Sequence, residues 1–329
     1  MKVVIPVAGV GTRLRPHTHA IPKVLMRTAG KTILEHILDD ILALKPDEII
    51  FIIGYLGDKI EKFAKEKYNK VKTSFITQEE YNGLGAAIFL SEKNVDPDEE
   101  LLIILGDTLI RGDIKKFVKL GDNVIAVKSV ENPTKFGVIE IDKAGNITKF
   151  IEKPDVPPTD MAVVGLYYIK KAGFLYSALK HIMKSGIKTK GEYQLTDALQ
   201  YMLEQGNVFK YFKIDKWLDC GNKDNLLSTN KELLDEKGSS KKGTIENSVI
   251  INPVFIHKNA KVKNSVIGPY ASISEDTVVQ DSIINNSIIC ENAKIVNAML
   301  SNSLVSDNAF VRDAFRHVNI GSHSELDLV

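Results

Sequence analysis

Between residues 256 and 311 one seven-residue phrase occurs four times: IHKNAKV (256–262), ISEDTVV (273–279), ICENAKI (289–295) and VSDNAFV (305–311). Each copy opens and closes on a branched apolar residue. Each has Asn or Asp at its fourth position and a small residue at its fifth. The starts are 17, 16 and 16 residues apart. Between the copies, SVIG (265–268), SIINNSII (282–289) and SNSLV (301–305) add branched positions at five- or six-residue steps. This is the hexapeptide register of a left-handed parallel β-helix. A branched side chain at each sixth position fills the interior, and the small residue is expected to turn each corner. A β-sandwich, the alternative, would show period-two alternation broken by hairpin turns. Roughly four turns of β-helix fit in 245–312.

Residues 1–235 are organised differently, as short apolar runs alternating with amphipathic stretches. KVVIPVA (2–8) and EIIFIIG (48–54) predict buried strands, and KTSFI (72–76) and ELLIILGD (100–107) predict further strands. ILEHILDDILAL (33–44), DKIEKFAKEKY (58–68) and GLGAAIFLSE (83–92) predict the helices between them. That alternation implies an α/β fold, a Rossmann-like and mainly parallel sheet with helices on both faces. Right-handed crossovers then collect the strand C-terminal ends along one ligand-binding edge. Further on, FGVIEID (136–142), ITKFIEKP (147–154) and VVGLYYI (163–169) predict strands joined by turns, expected to form a substrate lobe beside the core. EKGSSKKGT (236–244) is polar and contains glycine, as a linker would. The expected organisation is therefore a catalytic domain over 1–235, a linker over 236–244 and a β-helix domain over 245–329. FRHVNIGSHSELDLV (315–329) is read as its cap or as a segment exchanged between subunits.

A formal net charge of +1 argues against nucleic acid as the partner. Cys220 and Cys290 are the only cysteines, too few for a disulfide framework and without the spacing of a zinc site. The N-terminal apolar run is too short for a secretory or membrane segment and reads as a first strand. A cytoplasmic protein with no membrane partner is expected.

The stretch AGVGTRLRPHTHAIPK (8–23) carries the chemistry. A dinucleotide fingerprint would need a third glycine where Leu14 stands, and a Walker loop would need Gly-Lys-Ser/Thr. What remains is a strand followed by Gly9-Val10-Gly11-Thr12, then Arg13, with Lys23 ten residues on. Glycines let main-chain N–H groups converge on anionic oxygens. A guanidinium adds bidentate phosphate contacts. Pro22 gives the chain before Lys23 an extended bias. The pattern suits a triphosphate, although a solvated turn with incidental basic residues would also satisfy it. His17 and His19 lie in this stretch without ligand spacing and are read as shaping the local surface.

The string Gly9, Gly11, Thr12, Arg13, Leu14, Pro16, Thr18, Pro22, Lys23 resembles the signature of the sugar-1-phosphate nucleotidyltransferases, the sugar-nucleotide pyrophosphorylases. QEEYNGLGAA (78–87), LGDT (105–108), IEKP (151–154), GEYQLTD (191–197) and WLDCG (217–221) resemble further family segments, in the family's order. The resemblance implies transfer of a nucleotidyl group from an NTP to a sugar 1-phosphate, giving an NDP-sugar and pyrophosphate. It places Ala8, Gly9, Gly11, Thr12 and Arg13 on the nucleotide phosphates. Gln78 would read the base, with Gly83 allowing the backbone to approach it. Gly137, Glu152, Val164 and Glu192 would line the sugar, and Lys153 would hold its phosphate. Lys23 would bridge the two phosphates, and Asp107 and Asp219 would hold Mg²⁺. Arg13, Lys23, Asp107 and Lys153 are thus the catalytic candidates. The GLG segment favours dTTP or UTP with glucose 1-phosphate. Mannose-1-phosphate guanylyl transfer, and a bifunctional enzyme with acetyltransferase chemistry on the β-helix, are the alternatives. His257, His317 and His323 are the candidate bases for the latter, each also readable as a surface residue. A noncatalytic sugar-nucleotide sensor would be expected to lack one of Arg13, Lys23, Asp107 or Asp219, and all four are present. A homo-oligomer, formed through the β-helix, is expected.

Overall fold

The computed structural model describes residues 1–313. Two compact units divide the chain: residues 1–26 with 31–226, and residues 27–30 with the chain from Leu227 on.

In the first unit, β1 (Lys2–Pro6) is fully buried at Val3, Val4 and Ile5. After β2 (Arg27–Thr28), which belongs to the second unit, the short strand β3 (Lys31–Thr32) leads into α1 (Ile33–Leu42). The start of α1 is fixed by a capping box. The Glu35 N–H donates to Thr32 Oγ1 at 3.1 Å, and Glu35 Oε2 accepts from the Thr32 N–H at 2.7 Å. Ile33, Leu34, Ile37, Leu38 and Ile41 then form its buried face. Next come β4 (Glu48–Ile53), α2 (Gly57–Lys67), β5 (Thr73–Thr77), α3 (Leu84–Phe89) and β6 (Leu101–Ile104). All six residues of β4 are buried, as a strand covered on both faces requires. Strands β5, β4, β1 and β6 lie side by side and parallel, with Lys2 opposite both Glu48 and Leu101.

After β7 (Thr108–Arg111), α4 (Ile114–Lys119) and β8 (Asn123–Ser129) come β9 (Gly137–Ile141), β10 (Ile147–Glu152) and β11 (Met161–Ile169). These last three form no separate lobe. They extend the same nine-stranded sheet, whose main path runs β10-β9-β11-β6-β1-β4-β5 with two further strands branching from β11 through β8. Strand β11 runs antiparallel to β6, β8 and β9, so the sheet is mixed. Its run MAVVGLYYI is long and apolar enough to be buried in the middle of a sheet, and this draws the excursion into the core. Helices α5 (Ala172–Lys184) and α6 (Leu195–Glu204) pack into that core. Strand β12 (Lys210–Lys213) pairs with β8, and β13 (Lys216–Asp219) pairs antiparallel with β7. Helix α7 (Lys223–Lys237) follows.

The second unit is a three-faced coil of stacked parallel strands, of the left-handed hexapeptide type. One face stacks residues 244–246, 261–263, 278–280, 294–296 and 310–312. In its interior column Val262 lies opposite Val279, and Ile295 opposite Val311. The stretch 236–244, read as a linker, instead holds the end of α7 and two strand starts, at Ser240 and Thr244. The corners also differ from expectation. They are made by Asn and Asp with positive φ, among them Asn247, Asn264, Asp281, Asn286, Asn292, Asn297, Asn302 and Asn308. These are the non-glycine residues that best tolerate that backbone region. The small residues Ala260, Thr277 and Ala293 are buried inside the coil. Corner amides stack, with Asn247 Nδ2 donating to Asn264 and Asn264 Nδ2 donating to Asp281, each at 2.9 Å.

Residues 27–30 belong to this unit through Asn230. The Asn230 Oδ1 accepts from the Ala29 N–H at 2.9 Å and from Ser272 Oγ at 2.7 Å, while Nδ2 donates to the Tyr270 carbonyl at 3.0 Å. Arg27 pairs with Glu291. The 315–329 cap, His317 and His323 lie outside the described residues. Among the described residues, no helix is long and apolar enough to cross a membrane.

Candidate active site

The C-terminal ends of β1, β4, β5 and β6 deliver Ala8–Gly9, Gly54, Gln78 and Gly106–Asp107 to one edge of the sheet. Two adjoining clefts open there. The first, of about 480 Å³, is lined by Ala8, Gly9, Gly11, Thr12, Arg13, Lys23, Gln78 and Gly83. The second, of about 880 Å³, is lined by Gly137, Glu152, Lys153, Val164 and Asp219. Arg13, Leu84, Leu105, Asp107 and Glu192 line both. Every residue that the sequence singled out for the site therefore borders one cleft or the other.

The loop after β1 turns at Gly11, whose φ of +67° favours glycine. The turn is held from below by Thr18. Its Oγ1 donates to the Gly11 carbonyl at 2.9 Å, and its methyl fills the space a Gly11 side chain would need. This accounts for the threonine at a fixed distance from the glycines. His17 and His19 belong to the short 3₁₀ turn that presents Thr18. Burial lowers the pKa of His17, and the His19 carbonyl accepts from the Tyr55 hydroxyl at 3.2 Å.

Lys23 does not project free into the cleft. Its Nζ lies 2.7 Å from Asp107 Oδ2, with the lysine side chain 11% exposed and the aspartate 37%. Asp107 and Asp219 are brought together by the β7–β13 pair, in which Asp219 lies opposite Thr108 and the Cys220 N–H donates to the Asp107 carbonyl at 3.1 Å. Asn225 Nδ2 donates to Asp219, and the Asn225 N–H is capped by Asn222 Oδ1 at 2.9 Å. Among the described residues no three His, Cys, Asp or Glu side chains converge as a ready metal cage. Asp107 and Asp219 nevertheless both border the second cleft, a donor set that fits Mg²⁺, which commonly takes one or two protein carboxylates and completes its shell with ligand phosphates and water.

In the second cleft Lys153 Nζ lies 3.4 Å from Glu152 Oε1, so the adjacent pair does interact as an isolated Glu-Lys would. Both residues also face the cleft. Lys153 adopts φ +41°, a backbone region costly for a lysine, with its N–H bound to the Phe136 carbonyl at 3.1 Å. Thr196 Oγ1 donates to Glu152 Oε2 at 2.7 Å. Burial raises the pKa of Asp197, and the nearby Glu152 adds to this, while a hydrogen bond from Thr189 opposes it. Lys135, and Trp217 stacked edge-on to Phe136 at 4.8 Å, complete the wall. Sequence reasoning missed Lys135 and Asn225, which carry no distinctive spacing. Gly83 borders the first cleft, and it also makes room within the fold. The room left by its missing side chain is taken by the main chain of Tyr193, 2.5 Å from where a Cβ would stand. His257 spends Nδ1 as an acceptor for the Asn259 N–H at 3.3 Å, a turn contact within the β-helix.

Comparison with known proteins matches residues 2–236 to the family model described as Nucleotidyl transferase and residues 236–296 to that described as GlmU-like, C-terminal hexapeptide. The chain is 36% identical over 262 residues to the bifunctional protein GlmU of Methanocaldococcus jannaschii, an alignment covering 79% of this chain and 61% of the relative. It therefore spans about six-tenths of that relative's length. It is 30% identical over 229 residues to the UTP–glucose-1-phosphate uridylyltransferase AglF of Haloferax volcanii, covering 67% of this chain and 91% of the relative. A crystal structure of UDP-glucose pyrophosphorylase complexed with UDP-glucose shares the fold, with a TM-score of 0.62 at 23% identity over 72% of this chain and 99% of that one.

Proposed function

The chain belongs to the nucleotidyl transferase family, and from that premise we propose that it joins an NTP to a sugar 1-phosphate, with release of pyrophosphate. The observation that carries this reading is the wall shared by the two clefts. Arg13, Asp107 and Glu192 border both, with Lys23 on one side and Lys153 on the other. An arrangement of two anion-sized recesses meeting at a line of cations and carboxylates suits the joining of two phosphates.

A phosphate oxygen of the sugar 1-phosphate attacks the α-phosphorus in line. The bond from that phosphorus to the α–β bridging oxygen breaks, and pyrophosphate departs with the electron pair. Both reactants are anions, so neutralising charge in place is the main task. Arg13 holds the β- and γ-phosphates, which become the leaving group. Lys23 leaves Asp107 for the α-phosphate and the incoming phosphate, and Lys153 orients the latter. Asp107 and Asp219 would hold Mg²⁺, which supplies further charge neutralisation when bound. No general base is required, because a phosphate monoester is already ionised near neutral pH.

Gln78 supports a base with an imide N–H. Its Nε2 donates to the Glu80 carbonyl at 3.0 Å, which leaves Oε1 to accept. Uracil and thymine present N3–H to such an acceptor, as guanine presents N1–H, whereas cytosine N3 and adenine N1 are acceptors themselves; the choice of a pyrimidine over guanine rests on the GLG segment. UTP or dTTP with glucose 1-phosphate is the favoured pair. Pyrophosphate release across ATP, CTP, GTP, UTP and dTTP tests it, and a GTP optimum would overturn the pyrimidine assignment. The protein is further read as a homo-oligomer. On one β-helix face the outward positions Val249, Ile251, Val266, Ile283, Asn285 and Met299 carry no charge, and Met299 is 78% exposed. An uncharged flat face of this kind favours contact with its like.

A further inference from the structure

Glu192 borders both clefts, and two glycines of the base-side loop admit the segment that carries it. A Cβ on Gly83 would lie 2.5 Å from the Tyr193 carbonyl oxygen and 2.8 Å from its nitrogen. One on Gly85 would lie 2.9 Å from the same oxygen and 3.1 Å from the Gln194 carbonyl carbon and oxygen. Main chain is bonded to main chain here. The Tyr193 N–H donates to the Asn82 carbonyl at 2.8 Å, and the Gly85 N–H donates to the Tyr193 carbonyl at 2.9 Å. Gly85 is the second residue of α3. Its φ is not positive, so the close approach of Tyr193 is what calls for glycine.

From Tyr193 the segment leads into the second cleft. Gln194 Nε2 donates to the Glu192 carboxylate at 3.1 Å. Reciprocal main-chain bonds of 3.0 and 3.2 Å close a turn between Thr189 and Glu192. Thr189 Oγ1 anchors that turn to Asp197 at 3.0 Å, one residue beyond the Thr196 that holds Glu152.

We propose that Gly85 and the Tyr193 main chain form a positioning clamp, which uses the base-side loop as an anchor to set Glu192 against the sugar half of a bound ligand. The inference rests on reading the clefts as nucleotide and sugar halves. Gly85 and Thr189 border neither cleft, so they act through Tyr193 and Glu192 and not by touching substrate. The clamp makes a ligand that spans both clefts more sensitive to this segment than one that fills the first alone.

The test compares UDP with UDP-glucose by calorimetry on the full chain and on the Gly85→Ala and Thr189→Val variants. Wild-type binding of UDP-glucose is measured first, because its absence would count against the cleft assignment and not the clamp. Displacing a positioning segment by a few tenths of an ångström is expected to weaken UDP-glucose about tenfold in Gly85→Ala, with UDP held within about twofold. Thr189→Val is expected to shift the same ratio in the same direction, and it decides the matter alone if Gly85→Ala does not fold. The KM for glucose 1-phosphate should rise in parallel with little change in the KM for UTP. Equal loss of both ligands, or no loss of either, overturns the proposal.

Discussion

Replacing Lys23 with methionine should make the nucleotide-free protein bind a divalent cation more tightly. In the structure the ammonium occupies Asp107, and a cation that takes this carboxylate has to displace it. At the observed 2.7 Å the bare attraction would be about 6 kcal/mol at an effective dielectric of about 20. Most of that is offset by desolvating the lysine, and the partly exposed aspartate is screened further. A charged hydrogen bond of this kind retains about 1.5 kcal/mol. Removing it should therefore tighten Mn²⁺ binding about tenfold. Mn²⁺ titration followed by electron paramagnetic resonance reads this directly, without turnover. Roughly 0.5 M salt screens charges that are not in contact, so that direct competition is what remains. Lys153→Met, which removes a cation paired with Glu152 instead, should change Mn²⁺ affinity little. Unchanged or weaker Mn²⁺ binding in Lys23→Met would refute the competition. In the wild type, nucleotide should tighten Mn²⁺ by drawing Lys23 onto its phosphates.

Further outcomes follow from the same geometry. Asp107→Ala should lower turnover by about a thousandfold or more while leaving the thermal melt intact, and Mg²⁺-dependent activity like that of the wild type would remove Asp107 from the mechanism. Asn230→Leu strands the Ala29 N–H, the Ser272 hydroxyl and the Tyr270 carbonyl within the second unit, so it should cost that unit about 2–4 kcal/mol, read as a lowered Tm. Asp197 has a raised folded pKa, so its contribution to stability is present below the unfolded carboxylate range and is lost as pH rises through the folded value. Asp197→Asn should accordingly raise Tm at pH 7 relative to the wild type, with the advantage vanishing near pH 3.5, and a pH-independent difference would contradict this. Ile283→Lys combined with Met299→Lys should reduce the oligomer seen by light scattering, because two charges then sit on the uncharged face.

The sequence made the parallel half of the first unit legible because β1, β4 and β6 are continuous apolar runs that suit a covered strand, while β5, polar at three of its five positions and only partly buried, is placed by its pairing with β4. The branched register did the same for the β-helix. Its corners were misread, because asparagine in the left-handed region leaves no hydrophobic period to detect, while the small residue that caught the eye packs inside. Strands β7, β12 and β13 are four residues each, too short to show a period, and they exist through pairing with distant partners. The joining of residues 27–30 to the second unit depends on Asn230, some two hundred positions later, and no local pattern announces it. In the site, the resemblance to the family's segments named many of the residues bordering the clefts, though not Lys135 or Asn225. It did not reveal that Lys23 rests on Asp107, that Thr18 holds the Gly11 turn, or that Gly83 makes room for Tyr193 and not only for a ligand, since each is a contact between separate motifs.

The central claim is tested most directly by pyrophosphate release from the full chain with Mg²⁺, across ATP, CTP, GTP, UTP and dTTP against glucose 1-phosphate, mannose 1-phosphate and glucosamine 1-phosphate. The account predicts release that requires both substrates and is greatest for UTP or dTTP with glucose 1-phosphate. No release with any pair, or release independent of the sugar phosphate, would contradict it.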